Sequence, residues 1–293
     1  MLFKFLSIFA AGVILLIVLA CVYFVANRPQ LITIDADIPE NFPAAGFAHD
    51  SFEDLLRKYV DTDGAVDFDR WHQNATARLL LDSYLAAVGN FSPEATPDRF
   101  PKKSDELAYW MYGYNGYVIK SVLDHWPIES VTDVKAPIEA VTGLGFFYRQ
   151  RFHFGGTPLS LYAVENDKIR KAFHDPRIHF VLYCASASCP VLRPELPTGE
   201  ELERLLQEAT VDFISDPNNV RVDHESRQIV LSAIFDMYRS DFTRELTKRG
   251  VPADGGVIDY VMIVAPDYLQ AELTKAIDYD VVFADYDWSI SKK

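Results

Sequence analysis

Cysteine, methionine and histidine are scarce in this chain. Its 293 residues include three cysteines, four methionines and seven histidines, and neither a CxxC nor an HxxxH spacing occurs. So few cysteines exclude a disulfide-dense scaffold, and the missing spacings exclude the common zinc motifs. The acidic run at 61–71 is similar to half a calcium loop, but Arg70 stands where that loop needs its bidentate Glu. We therefore expect no metal and no other cofactor.

Positive charge is also in short supply. Lys and Arg number 28 against 42 Asp and Glu, which gives a formal net charge of −14. The sequence has no basic stripe with interleaved aromatic residues. Because so acidic a surface repels a phosphate backbone, we expect no nucleic-acid binding.

Uncharged apolar residues are abundant at the N-terminus. The run from 5 to 26 has 22 residues without a charge, enough for a helix of roughly 33 Å. A cleavable signal peptide has a shorter apolar region of about 7–15 residues. We predict a transmembrane anchor within 1–28, a membrane contact through 5–26, and a body exported to the periplasmic or extracellular face. A cleaved signal segment, or a lipoprotein processed at Cys21, is the alternative.

The order of predicted elements indicates the fold class. A Pro-rich linker over 29–47 leads into one globular domain over 48–293. Apolar periodicity predicts a long helix over 104–126, and Gly155 with Gly156 indicates a hairpin turn. Helices come early and late, with strands mainly between them. We therefore predict an α+β fold, a single domain of helices packed on a mostly antiparallel sheet, behind an N-terminal transmembrane helix.

The segment "RIHFVLYCASASCP" places a histidine close to two cysteines in sequence. We predict a buried strand over 177–184. Strand alternation would put His179 and Cys184 on opposite faces, roughly 16 Å apart along the chain, whereas a nucleophile and its base need about 3 Å. A local catalytic pair is therefore not expected. For Cys184 and Cys189, a disulfide and a pair of reactive thiols both stay open, and an oxidising compartment favours the disulfide.

Several stretches of the chain resemble the DUF547 family, a domain named for its unknown function. The resemblance covers most of 50–290, and its most specific block is "DPRIHF" followed by "CASASCP". This block belongs to the stretch "LSLYAVENDKIRKAFHDPRIHFVLYCASASCPVLRPE", and the other matching stretches are "LLRKYVDTDGAVDFDRW", "DELAYWMYGYNGYVIKSVLDHWP", "LERLLQEATVDFI", "IVLSAIFDMYRSDF" and "DYDWSI". The resemblance implies that the cysteine-bearing segment is a family feature, and it brings no established reaction.

The chain departs from the family pattern in two places. Members often carry "WINAYN" where this chain has "WMYGYN", so that Tyr112 replaces an Asn while Tyr114 and Asn115 are retained. They also often carry Glu-His where this chain has Glu165 and Asn166. A long helix followed by a His-bearing strand is loosely similar to the papain/transglutaminase fold, but no cysteine opens the helix here, and a fold does not fix a function.

Three functions are compatible with these residues. The first is a hydrolase or transferase with a cleft centred on His179, to which Glu165 and Asn115 contribute polar groups. The second is a non-catalytic binding or scaffold module of the cell envelope, in which the same residues are buried structural groups. The third is thiol-redox chemistry at Cys184 and Cys189. An open pocket that holds His179, Glu165 and Asn115 within hydrogen-bond reach would favour the first.

Overall fold

Helices form most of the regular structure, and all strands are short. A computed structural model describes residues 2–252, 254 and 256–293, without the side chains at 2–8, 10 and 11. The α-helices are α1 (Leu2–Ala26), α2 (Asp50–Tyr59), α3 (Phe68–Gln73), α4 (Ala75–Asn90), α5 (Lys103–His125), α6 (Leu161–Ala163), α7 (Lys171–Phe173), α8 (Glu200–Ser215), α9 (Ala233–Met237), α10 (Arg239–Lys248), α11 (Val257–Val264) and α12 (Asp267–Lys275). The strands are β1 (Gln30–Leu31), β2 (Gln150–Phe154), β3 (Thr157–Leu159), β4 (Val220–Asp223), β5 (Gln228–Leu231) and β6 (Asp280–Phe283).

The long helix α5 runs through the centre of the core. Every residue from Leu107 to Ile119 is buried, which is typical of a helix covered on all sides. Trp110 packs against Phe154 of β2, with ring centroids 5.6 Å apart. The predicted long helix is confirmed, and one apolar cluster extends from the first helices of the body to the C-terminal tail.

The strands form two small sheets rather than one. In the first, β2 pairs in parallel with β1 and antiparallel with β3. In the second, β5 pairs antiparallel with β4 and in parallel with β6. The α+β content agrees with the prediction, but the single, mostly antiparallel sheet was wrong, because β1 and β6 arrive from distant parts of the chain and add parallel pairs.

The C-terminal tail beyond β6 fixes the cysteine-bearing loop. The backbone N–H of Ala187 donates to the carbonyl of Ser289 at 2.7 Å, and that of Ser291 donates to Ala185 at 2.9 Å. The Ser188 hydroxyl also accepts from the N–H of Asp287 at 2.8 Å. These bonds hold the tail beside the segment that follows His179.

The N-terminal segment forms α1, but part of the predicted span lies outside the described side chains, namely 5–8, 10 and 11. In the part of the chain that the structure describes, no helix is both long and apolar enough to cross a membrane. This finding overturns the predicted transmembrane helix and the membrane-anchored, exported localisation that rested on it.

Candidate functional site

A cavity of about 270 Å³ opens between α5, the segment after it and the C-terminal tail. Seven of its eighteen lining residues are aromatic, namely Tyr114, Phe147, Tyr148, Tyr162, Tyr238, Tyr286 and Trp288. Its charged and titratable lining residues are Glu165, Arg170 and His179, and both Cys184 and Cys189 lie on the same wall. An apolar cavity with a few converging polar groups is the usual form of a small-molecule site.

The cavity takes its side chains from irregular helical segments. Tyr148 lies in a π-helical segment, Leu144–Arg149, and Glu165 with Arg170 lies in another, Val164–Arg170. Wide turns of this kind occur frequently at functional sites. Here they direct side chains of neighbouring segments towards one space.

His179 lies in a short 3₁₀-helix, Pro176–Phe180, and not in the predicted strand. Asp175 caps this helix by accepting from the N–H of Arg177, and Pro176 occupies its first position, where the missing N–H and fixed φ of proline suit a helix start. The chain then turns, so that the spacing and alternation of a strand do not apply. The predicted strand was therefore wrong, and His179 and both cysteines line one cavity.

The imidazole of His179 is held in one orientation. Its Nε2 lies 2.9 Å from Oδ2 of Asp241, and its ring stacks on Tyr238 with centroids 3.7 Å apart. Only 1% of the side chain is exposed. Among the described residues, none forms a hydrogen bond with Nδ1.

The protonation states of His179 and Asp241 determine the tautomer of His179. Burial opposes ionisation of Asp241, but hydrogen bonds from His179 and Arg170 outweigh it and hold the pKa of that carboxyl well below its usual range. Burial lowers the pKa of His179 more than the nearby carboxylate raises it, so that the ring is neutral near pH 7. An ionised carboxylate can only accept a hydrogen bond. Nε2 therefore carries the proton, and Nδ1 has a free lone pair.

Arg170 completes the support of Asp241. Its Nε donates to the same Oδ2 at 2.7 Å, and its guanidinium lies over the Tyr238 ring, 4.9 Å from the centroid. Asn166 accepts another hydrogen bond from Arg170. Tyr238 thus has His179 stacked on its ring and Arg170 in a cation–π contact with it.

Glu165 faces the cavity in a setting that favours its neutral form. Burial raises the pKa of Glu165, which hydrogen bonding with Tyr238 and the charge of Arg170 only partly offset. Burial, together with the Glu165 charge, raises the pKa values of Tyr114 and Tyr238 well above the ordinary value. The site therefore holds phenols that stay protonated around a carboxyl that keeps its proton to higher pH than usual.

Asn115 has a different place from the one expected for it. Its Nδ2 donates to the carbonyl of Val181 at 3.2 Å, and its Oδ1 accepts from the N–H of Tyr183 at 2.9 Å. The residue is 2% exposed and does not line the cavity. The structure therefore brings His179 and Glu165 to one space, while Asn115 fixes the backbone between His179 and Cys184.

Cys184 and Cys189 form a disulfide whose Cα atoms lie 6.0 Å apart, within the usual range of about 4.4–6.8 Å. Both residues are half-buried. The bond closes a loop of the cavity wall.

Sequence reasoning did not identify Asp241, Tyr238 or Tyr286 as site residues. Asp241 is 62 positions from His179, and an acidic residue in the first turn of α10 is also what the helix dipole alone would favour. The stretch "FDMYRSDF" had been singled out only for its resemblance to DUF547. Within the described residues, no group of three or more His, Cys, Asp or Glu side chains could hold a metal ion.

The family comparison covers the centre of the chain. Residues 98–214 match the model of DUF547, described as a protein of unknown function, which confirms that resemblance. The matched stretch contains Glu165, His179 and both cysteines, whereas Asp241 lies beyond its end. No curated protein and no solved structure matches the chain, and the likeness to the papain/transglutaminase fold stays a prediction.

Proposed function

We propose that this DUF547-matching chain is a hydrolase that cleaves small acyl compounds by general acid–base catalysis, with His179 as the base and Glu165 as the acid. The observation that carries the proposal is the neutral His179, oriented by an ionised Asp241 and set in the same cavity as a carboxyl of raised pKa. Buried titratable groups whose pKa values are shifted by burial and by a specific charged partner, in a cleft, are typical of acid–base sites.

The proposed reaction needs only water as co-substrate. Nδ1 of His179 takes a proton from the water whose oxygen attacks the acyl carbon, and Asp241 stabilises the imidazolium that forms. The bond to the leaving group breaks as its oxygen accepts the proton of Glu165. After the acid and alcohol products leave, the proton on His179 returns to Glu165 through solvent, so that the net change is the addition of one water molecule.

The surroundings favour an acyl compound over a glycoside. Glycoside hydrolysis usually needs two carboxyl groups at the substrate, and among the described residues Glu165 is the one carboxyl that lines the cavity, since His179 separates Asp241 from it. Tyr114 stays protonated because burial raises its pKa, and its hydroxyl is a donor for the oxygen that becomes negative in acyl transfer. The aromatic wall suits an uncharged, ring-sized group.

The test uses the purified full-length protein and p-nitrophenyl esters of short acyl chains. We expect the His179→Gln variant to lose hydrolysis by about 10²–10⁴-fold, the usual contribution of one acid–base group. His224→Gln is the matched control, because His224 is an exposed histidine paired with Glu272 at 3.3 Å outside the cavity. Equal rates in the two variants would refute the proposal.

The same assay gives a pH profile with a defined shape. The active form needs neutral His179, whose pKa burial lowers from 6.5, and protonated Glu165, whose pKa burial raises from 4.5. We therefore expect a bell with an acid-side midpoint below pH 6.5 and an alkaline-side midpoint above pH 4.5. An alkaline plateau without decline would contradict the role of Glu165.

A non-catalytic binding module is the second candidate. It is favoured by Asn115, whose polar atoms are both satisfied by backbone and take no part in the cavity. Saturable binding of the esters without any release of p-nitrophenol, unchanged in His179→Gln, would support it over the hydrolase.

A further inference from the structure

The disulfide Cys184–Cys189 lies on the wall of the cavity rather than in the core. Ala185, which follows Cys184, has a φ of 65° although it is buried and is not glycine. This left-handed conformation is unfavourable for a residue with a Cβ and occurs often at functional sites. It turns the chain so that the side chains of Cys184 and Ser186 meet.

Each sulfur has a hydrogen-bond partner in place for the reduced state. Sγ of Cys184 lies 2.9 Å from the hydroxyl of Ser186 and 3.0 Å from that of Tyr286. Burial raises the pKa of Tyr286 to about 12, so that its phenol is a donor at neutral pH. Sγ of Cys189 lies 3.7 Å from the carbonyl of Leu182. The two hydroxyls also lie 2.7 Å from each other, so that one donates to the other and the remaining hydroxyl proton is available to a thiolate at Cys184, while a thiol at Cys189 would find an acceptor.

We propose that this pair is a reversible thiol–disulfide exchange site for small dithiols that enter the cavity. A thiolate of the dithiol attacks Sγ of Cys189, the protein S–S bond breaks, and Cys184 leaves as a thiolate bound by Ser186 and Tyr286. The second thiol of the reagent then attacks the mixed disulfide and releases Cys189, which takes up a proton. The reagent loses two electrons and two protons and becomes a cyclic disulfide. The protein gains the two electrons and one proton, as a thiol at Cys189 and a thiolate at Cys184, and the second proton goes to solvent.

The asymmetry of the two sulfurs decides the direction of attack. A thiol of lower pKa is the better leaving group in exchange, and hydrogen bonds to a charged group favour its ionised form. Among the described residues, Cys184 has two hydroxyl groups beside its sulfur. Sγ of Cys189 accepts from the backbone N–H of Cys184 at 2.8 Å, but it also faces the carbonyl of Leu182, which disfavours a thiolate there. Cys189 is therefore the sulfur that receives the incoming thiol.

The site shares the cavity with the proposed hydrolase but does not depend on its chemistry. Its readout is the state of two thiols rather than hydrolysis of an ester. Failure of either proposal therefore leaves the other standing.

The experiment is native thiol trapping on the full-length Cys21→Ser variant, since Cys21 is a free, exposed cysteine. The protein is treated with dithiothreitol without denaturant, and then with iodoacetamide. We expect no alkylated cysteine in the untreated protein and two per chain in the reduced protein. A reduced sample that is reoxidised with oxidised dithiothreitol before iodoacetamide is added should again show none. Alkylation only after unfolding in guanidinium would overturn the proposal.

A monothiol reports which sulfur is attacked. With 2-mercaptoethanol, peptide mass spectrometry should find the mixed disulfide on Cys189, and an adduct on Cys184 would contradict the stated direction. Tyr286→Phe removes one donor to the leaving sulfur and should slow reduction. Loosening of the loop alone would expose the pair and speed reduction, so that a faster or unchanged rate in Tyr286→Phe would also count against the site.

Discussion

Asp241 decides which nitrogen of His179 is available to a ligand. Its ionised carboxylate accepts from Nε2 and from Arg170 through the same oxygen. Because burial keeps the imidazole neutral, the lone pair is left on Nδ1. Replacing Asp241 with Asn would remove the charge that selects this tautomer, and it would leave a side chain of similar size beside the ring.

A second buried histidine, His49, makes the free energy of unfolding depend on pH. Burial lowers its pKa from 6.5 to about 3, and its Nδ1 lies 2.9 Å from the hydroxyl of Tyr84. The unfolded chain binds a proton at His49 below pH 6.5, whereas the folded chain does not until about pH 3. The stabilisation from His49 is thus fully present above pH 6.5 and is lost as the pH falls towards 3.

We therefore predict that the free energy of unfolding decreases less on acidification in His49→Gln than in the natural chain. Guanidinium unfolding at about pH 7 and about pH 4 measures the difference. His179 acts in the same direction, so that part of the slope remains in the variant. The exposed His224→Gln should keep the full slope, and an equally steep loss in His49→Gln would disprove the account of His49.

At the scale of elements, Asn115 links α5 to the segment between His179 and Cys184. Its two hydrogen bonds satisfy the carbonyl of Val181 and the N–H of Tyr183, both in buried residues. A buried backbone group without a partner costs about 1–3 kcal/mol. Asn115 is therefore a positioning residue, which acts on the cavity through the backbone it holds.

We predict that Asn115→Leu lowers the free energy of unfolding by about 2–6 kcal/mol, since two buried groups lose their partner. Urea unfolding at neutral pH measures this. Asn90→Leu is the control, because Asn90 is exposed and its side chain, among the described residues, bonds to Ala86 alone, within its own helix, so that about 0.5 kcal/mol or less is expected there. Similar losses in the two variants would show that Asn115 does not hold the segment.

Local patterns in the sequence predicted the elements that local forces determine. The helix expected over 104–126 is α5, and the hairpin turn expected at Gly155 and Gly156 joins β2 to β3. The strand expected over 177–184 failed, because an apolar run shows no period that separates a strand from a buried helical turn.

Local sequence patterns could not predict the contacts between distant segments. The pairing of His179 with Asp241 joins a 3₁₀-helix to α10, and the bond of Cys184 to Tyr286 joins the loop to the tail. Neither contact leaves a periodic signal in the sequence, because each depends on how complete elements pack. Glu165 and His179 were chosen from residue type and from the stretches that resemble DUF547, and their shared cavity is a result of that packing.

At the scale of the whole molecule, the cavity depends on segments that span more than half of the chain. Tyr114 comes from α5, Tyr238 from the junction of α9 and α10, and Tyr286 from the tail. The DUF547 match ends at 214, so that the carboxylate supporting His179 and the phenol beside Cys184 both come from the part that follows it.

The central claim is that a folded, neutral His179 carries its proton on Nε2 and leaves Nδ1 without a proton. Nitrogen-15 NMR of the full-length protein, labelled at its seven histidines and assigned with His179→Gln, reads this directly. The account predicts a neutral ring near pH 7 with a protonated Nε2 and an unprotonated Nδ1, and loss of that fixed tautomer in Asp241→Asn. An imidazolium, or a proton on Nδ1, in the natural chain at that pH would contradict it.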